Sequence, residues 1–392
     1  MAESSRRRGK AVAAHVRRPT ALRVVVVAAI GLLGIGAPLA MPAAAHAQAI
    51  VQTGPSAGED EFGSQFVYWR GATGHHNLYE GWYNVYTGKW SGAINLGMGT
   101  LGSEPTVAIT DQVFAGPGGN EFNAQYVYWT GTNGNLYMAY WQGSWHGPIE
   151  IGDQEPCSQP AATTLYPDGA PEIVIFWQGE QGYCGQDNAD GSGLFYTYSY
   201  DSVDPIAASD YFPGPTWDSN AGLAGSSPSV TTVYEQEIAG NPYALPDTAA
   251  IAWQGQNGKL WTQEWDALNG DTTGAVCYTA AGVIGSVPTV SGNTTAYDDE
   301  EWQIGWTGQD GILWDGDNID GAFGPISSQP SAGEMNSAPS MVQAPSGTQL
   351  PYPENQSLHV FYAGSNDDLW QAYYDASNYT WSFQDLGDGP IV

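Results

Sequence analysis

Indoles and phenols set beside turn amides are the side chains with the most chemistry on offer in this chain. The stretch "VYWTGTNGNLYMAYW" (residues 127–141) holds Trp129, Asn133, Tyr137 and Trp141, and Trp145 follows closely. Similar groups recur as Trp69, Trp82 and Trp90; as Trp253, Asn257, Trp261 and Trp265; as Trp306, Asp310 and Trp314; and as Tyr362, Asn366, Trp370 and Trp381. The chain has 16 Trp and 23 Tyr against 10 Phe, a bias toward rings with a hydrogen-bonding edge that a purely apolar core does not need. A sugar has the complementary shape: a C–H face that stacks on such a ring and hydroxyls that bond to Asn, Asp and Gln. These residues are therefore the candidate ligand-binding set. No catalytic residue, metal ligand or cofactor site stands out beside them.

The elements that position these residues are repeated. The core pattern is aromatic-x-Gly-x-x-[Gly/Asp]-x-Leu-aromatic, seen as "WTGTNGNLY" from Trp129, "WQGQNGKLW" from Trp253, "WTGQDGILW" from Trp306 and "YAGSNDDLW" from Tyr362. Two looser copies start at Trp69, with two extra residues, and at Trp177, with a long insertion. Asn133-Gly134, Asn257-Gly258 and Asp310-Gly311 are pairs that accept positive φ, so each copy reads as a hairpin closed by a tight type I′ turn. Most copies are followed by a Trp-x-Gly/Phe segment (Trp90, Trp145, Trp381). A Ser-x-Pro segment then follows at Ser103, Ser158, Ser226, Ser286 and Ser337. Each unit thus supplies four short strands in fixed order.

Helix signals are nearly absent, and 51 Gly and 25 Pro are too dense for long helices. Four-stranded units in six copies predict an all-β fold, a six-bladed β-propeller of antiparallel blades. Seven blades, stacked sandwiches or a β-solenoid are the alternatives. The strand that opens the first blade is expected in "AIVQT" (49–53), with the C-terminal "PIV" (390–392) as its competitor. Strand alternation sets Leu136, Met138 and Tyr140 on one face and Tyr137, Ala139 and Trp141 on the other. Both faces are apolar, as expected of a blade covered by two neighbours. Leu136, Met138 and Tyr140 are assigned to packing. Trp129, Tyr137 and Trp141 are the candidates for a cleft wall.

Residues 1–47 read as a secretory signal: a basic start, the run "VVVVAAIGLLGIGAPLA", then a small-residue site at Ala45-His46-Ala47 or Ala47-Gln48-Ala49. The alternative is an N-terminal membrane anchor. "VRRPTAL" allows twin-arginine export. Residues 48–392 form the single propeller domain. Beyond residue 47 only Arg70, Lys89 and Lys259 face forty acids, a net charge of −37. Such a surface repels nucleic acid and anionic membranes, and no further run spans a bilayer. The expected partners are glycans or polysaccharides outside the cell. Among Cys157, Cys184 and Cys277, proximity pairs the first two and leaves Cys277 over. The acidic stretches at 187–193 and 315–321 lack the outer ligands of a calcium loop.

The order aromatic-x-Gly-x-Asp/Asn-Gly-x-Leu-Trp/Tyr, then Trp-x-Gly, then Ser-x-Pro, resembles the bacterial fucose-binding propeller lectins. It is similar, more loosely, to the six-bladed fungal fucose lectins and the tectonin/tachylectin group. The resemblance covers nearly all of 49–392 and implies sugar pockets between adjacent blades, lined by Trp, Tyr and polar groups. The fungal lectins place an Arg in each pocket. Here Arg70 is the one arginine beyond residue 47, so a repeated Arg–Glu clamp is impossible.

Two other classes compete. A propeller glycosidase would need a carboxylate pair. Acids such as Glu80, Glu104, Glu150, Asp153, Glu264, Asp298, Asp299, Glu300 and Glu301 are plentiful, but none sits in a distinctive motif. Sialidase chemistry, which uses three arginines on the substrate carboxylate, is nearly excluded by the single Arg70. Ser-His-Asp chemistry finds few histidines (His75, His76, His146, His359) and no nucleophile elbow. A protein-binding scaffold would use the loops after Gln181 and around 201–220 that break the repeat.

Overall fold

A computed structural model of the chain describes residues 54–387 apart from a set of loop stretches, the longest being 180–192, 200–215, 234–246, 293–301 and 344–357. The expected signal segment, Cys184, His75 and the "PIV" end lie outside the described residues. Every described element longer than a single 3-10 turn is a strand. The strands form six antiparallel sheets, each built from consecutive chain.

Blade I runs Ser56–Glu59, Gln65–Arg70, Leu78–Asn84 and Lys89–Trp90. Blade II runs Thr106–Ala115, Glu121–Thr130, Leu136–Trp141 and Trp145–Glu150. Blade III runs Ala161–Leu165, Glu172–Gly179, Gly193–Tyr198 and Thr216–Asp218. Blade IV runs Ser229–Val233, Thr248–Gln254, Leu260–Asp266 and Asp271–Thr272. Blade V runs Thr289–Gly292, Trp302–Thr307, Ile312–Ile319 and Ala322–Phe323. Blade VI runs Ser340–Gln343, Leu358–Ala363, Leu369–Asp375 and Thr380–Asp385. Blades I, IV and V carry an extra short strand beside the third, at Ile94–Asn95, Val276–Tyr278 and Ser327–Glu334. The count is six, so the seven-blade, sandwich and solenoid alternatives fall away.

The inner strands close a ring in which each touches the next, with blade I meeting blade VI. The chemistry of closure is simple. The first residue of an inner strand is Ser56, Thr106, Ser229, Thr289 or Ser340, and its hydroxyl accepts a backbone N–H from the next blade's inner strand at 2.8–3.3 Å. Blade III has Ala161 at this position and no such bond to give. The described strand that opens blade I is therefore Ser56–Glu59, on the expected N-terminal side; residues 49–53 lie outside the described residues. The strand's opening sequence, "GPSA", is a fifth copy of the Pro-hydroxyl start found at Pro105-Thr106, Pro228-Ser229, Pro288-Thr289 and Pro339-Ser340.

The Ser-x-Pro serines have a shared role. Each of Ser103, Ser158, Ser226, Ser286 and Ser337 donates to the next residue's carbonyl and accepts an N–H from the residue after the first aromatic, at or next to the end of its blade's second strand, at 2.8–3.0 Å. They close the edge where the hairpin begins.

The hairpin turn differs from the expected type I′. Gly131 N–H bonds to Asn135 C=O and Gly134 N–H to Gly131 C=O, giving a three-residue loop with only its last residue at positive φ (Gly134, +86°). Such a loop joins a type I turn to one left-handed residue, which matches strand twist as well as the two-residue form does. Asp367 takes the glycine's place in blade VI at φ +61°.

Alternation buries both faces. Leu136, Met138 and Tyr140 pack with Ile173, Ile175 and Trp177 of blade III. Trp129, Ala139 and Trp141 pack with Phe66, Tyr68 and Leu78 of blade I. Cys157 is disulfide-bonded and Cys277 is free, as the proximity argument requires.

Candidate functional site

The repeat places its candidate residues in three distinct settings. The first aromatics (Trp69, Trp129, Trp253, Trp306 and Tyr362) are at most 1 % exposed and form inter-blade packing, so Trp129 is not an open wall. The turn residues are engaged locally. Asn257, Asp310 and Asn366 accept the indole N–H of Trp261, Trp314 and Trp370, at 2.8–3.3 Å. Asn133 donates to the Tyr137 hydroxyl at 3.0 Å. The second aromatics, Tyr137, Trp261, Trp314 and Trp370, are half-buried at the hairpin rim. Trp265 is buried between blades III and IV. Trp381 packs near Leu313 and Tyr374 at the blade V–VI seam. Trp90 meets Phe361 edge-on at the blade VI–I seam, 5.5 Å between ring centres.

The remaining three, Trp82, Trp141 and Trp145, converge at the seam between blades I and II. Trp82 meets Phe122 edge-on at 5.3 Å, and Phe122 meets Trp141 at 6.0 Å. Trp145 stands edge-on to Tyr68 at 5.9 Å. Between them lies Glu80, 7 % exposed. Its two oxygens accept bonds from separate blades: Oε1 from the Tyr68 hydroxyl at 3.2 Å and Oε2 from the Trp145 indole N–H at 3.3 Å. The Tyr68 hydroxyl also contacts Oε1 of Gln125 in blade II. Burial pushes the Glu80 carboxyl up to about 7, against the two hydrogen bonds that favour its charged form. Glu80 was one of many acids in the sequence, and Tyr68 and Gln125 carried no signal there.

Local register explains the arrangement. Glu80 pairs with Tyr68 across the hairpin, so both point to blade II, while Tyr79 and Trp69 point the other way. Trp82, two residues on, shares the Glu80 face. Trp145 opens the fourth strand of blade II, and so reaches back over the seam.

The same register position in the other blades is Met138, Tyr196, Thr262, Asp315 and Gln371. Each seam therefore has its own polarity. Gln371 is held by His359 at 2.8 Å and Gln384 at 2.9 Å. Asp315 accepts from Gln329 Nε2 at 3.0 Å and lies in a strand, not a calcium-type loop. Burial, with Asp315 nearby, raises the Asp317 carboxyl. Among the described residues no cluster of three or more metal-ligating side chains occurs. The mouth of the central channel is lined by Pro55, Pro160, Pro228, Pro288 and Pro339 with small neighbours and no aromatic wall, so it offers no stacking site.

No protein-family model matches the chain, and no curated protein sequence does. Solved structures do share its fold. The Aleuria aurantia lectin, as a mutant in complex with Fucα1-6GlcNAc, matches with TM-score 0.54 and 16 % identity over 86 % of this chain and 96 % of that one. AofleA from Arthrobotrys oligospora gives 0.59 and 11 %, over 87 % and 88 %. The BP39L lectin from Burkholderia pseudomallei gives 0.51 and 15 %, over 87 % and 99 %. At these identities the likeness is one of fold: a six-bladed propeller.

Proposed function

We propose that this chain is an exported carbohydrate-binding protein, a lectin, whose best-formed sugar site is the blade I–II seam. One observation carries the reading. A buried carboxylate is bonded by an indole N–H of the adjacent blade and walled by Trp82, Trp141 and Trp145. Stacking on the indoles accounts for the C–H face of a sugar, and Glu80 with Gln125 for its hydroxyls. The propeller neighbours that bind fucosides support this class of ligand. With Arg70 held by Glu104 at 3.1 Å, the acid and the indoles take the place of an arginine clamp. Export follows from the segment at 1–47, and extracellular glycans are the partners.

Charged Glu80 is the stronger acceptor, so affinity should rise as pH increases through about 7. Titration calorimetry with methyl fucoside and a glycan array tests the reading. Glu80→Gln should weaken the preferred sugar by about 10- to 100-fold, the range of a hydrogen bond to a charged group. An unchanged affinity sinks the assignment.

A second reading rests on Asp315 and Asp317. They share a strand face at roughly 7 Å along the strand, within the carboxyl spacing of an inverting glycosidase. Release of reducing sugar by the native chain, abolished in Asp317→Asn, would favour it.

A further inference from the structure

The Glu80 position changes from blade to blade, yet one half-exposed position does not. Tyr79, Tyr137, Phe195, Trp261, Trp314 and Trp370 stand opposite the six buried first aromatics, and all six are partly open to solvent. Their neighbours on the outer strand vary from blade to blade: Asn95, Glu150, Trp217, Cys277, Ser328 and Asp385. Only the planar ring is common. A buried position explains a repeated Leu or Trp, but covering a hairpin requires only an apolar side chain.

Each ring is also held in place. It lies flat over the glycine two residues after the first aromatic, where any Cβ would run into the ring (Gly131 under Tyr137, Gly255 under Trp261, Gly364 under Trp370). The indoles are further fixed through their N–H by Asn257, Asp310 and Asn366. In blade II the Tyr137 hydroxyl donates to Glu150 at 2.8 Å. Side chains that lose little freedom on contact make good stacking platforms. All six belong to the hairpin joining the second and third strands, so they ring one end of the propeller. Tyr79 and Glu80 point to opposite faces of their strand, and although Tyr137 packs at the blade I–II seam, Trp261, Trp314 and Trp370 pack at other seams, apart from the Glu80 site.

We infer that this rim is a second, extended glycan surface, on which successive rings of a neutral polysaccharide chain stack. The inference rests on the carbohydrate-binding reading above and extends it from one sugar to a chain. Charge selects the ligand. Glu150, Asp310, Asp367, Asp368 and Asp385 lie in or beside these hairpins against two cations, Lys259 and Arg70, the latter paired with Glu104, and this acidic excess disfavours uronate, sialate or sulfated chains. Repetition of weak platforms around one rigid ring suits a repetitive polymer through avidity.

The test uses the full exported chain and a triple variant, Trp261→Leu with Trp314→Leu and Trp370→Leu, which keeps apolar cover over the glycines and removes the aromatic faces. Thermal melts check folding, and a single Trp370→Leu variant serves if the triple variant melts early. Binding is measured to methyl fucoside, to the neutral polysaccharides mannan and xyloglucan, and to anionic polygalacturonate. The expected result is at least a tenfold loss for a neutral polysaccharide, unchanged methyl fucoside affinity and no retention on polygalacturonate. Equal polysaccharide binding by parent and variant overturns the rim while leaving the seam site standing. Loss of polysaccharide binding in the variant, with no fucoside binding by the parent, supports the rim and overturns the seam. A parent that binds neither overturns both, as does one that prefers the anionic polymer for the rim.

Discussion

The blade I–II and blade II–III seams are built on the same hairpin, the same register and a tyrosine at the same place, yet they differ in the side chain opposite that tyrosine and in what faces it. Glu80 stands opposite Tyr68 in the first, and Met138 opposite Tyr128 in the second. Around Glu80 the neighbouring blade supplies an indole N–H and a Gln, and the seam keeps half-exposed Trp82 and Trp145. Around Met138 the blade III face is Ile173, Ile175 and Trp177, and the seam is sealed. The scaffold tolerates either because the strand ladder fixes position, not polarity. A propeller can therefore hold a polar seam beside a packed one.

Exchanging the two residues tests that lesson most severely. Met138→Glu puts an acid among the apolar side chains of Ile173, Ile175 and Trp177, and should destabilise the fold by about 3 kcal/mol or more at pH 8. A smaller loss, read by urea unfolding, would mean the sealed seam admits water. The converse, Glu80→Met, should leave a folded protein with sugar binding reduced by about 100-fold or more. Calorimetry on the sugar found by array checks this.

The pH dependence sharpens the contrast next. The folded-state pKa of Glu80 is raised from 4.5 to about 7, so its contribution to stability is full below pH 4.5 and is lost as pH rises through 7. The shift corresponds to about 3 kcal/mol at most. Glu104, raised to about 7 by burial despite Arg70, acts in the same direction. Melting temperature should fall from pH 5 to pH 8, and less steeply in Glu80→Gln. An identical slope in the variant would show that Glu80 is not the titrating group. Sugar affinity should move the opposite way, since the charge that burdens the fold strengthens the acceptor.

A smaller effect is expected at Trp145. Trp145→Phe keeps the wall and deletes the bond to Glu80, and should weaken binding by about tenfold or less. The smallest concerns the scaffold shared by both seams. Ser103→Ala removes a hydroxyl that bonds twice at the start of blade II, for about 1 kcal/mol of stability and no change in binding.

Much of the fold was legible in the residues. The aromatic-x-Gly hairpins, their number and the two-faced burial of the 136–141 strand all follow from turn chemistry and period-two alternation. The glycine after each first aromatic now has a reason, since the next strand's ring lies on it. The strand Ser56–Glu59 was not singled out because "TGPSA" has Thr53 where the other copies have Ser, although Pro55-Ser56 was present. Within the candidate site, Trp82, Trp141 and Trp145 were legible as aromatics. Nothing separated them from Trp69 or Trp129, which are equally aromatic and fully buried. Glu80 was hidden among many acids because an alternating strand position reads as solvent-facing until a neighbouring blade covers it.

The sequence by itself determined the unit: four strands, a tight hairpin after each first aromatic, and six copies in order. Those features depend on backbone sterics and contacts within a few residues, which act wherever the unit lies. Only the tertiary structure decided which faces meet. Glu80 meets Trp145 across 65 residues and Tyr68 meets Gln125 across 57. Whether an acid is solvated or buried, and whether an indole is core or wall, depends on groups brought from the next blade. No local pattern contains them.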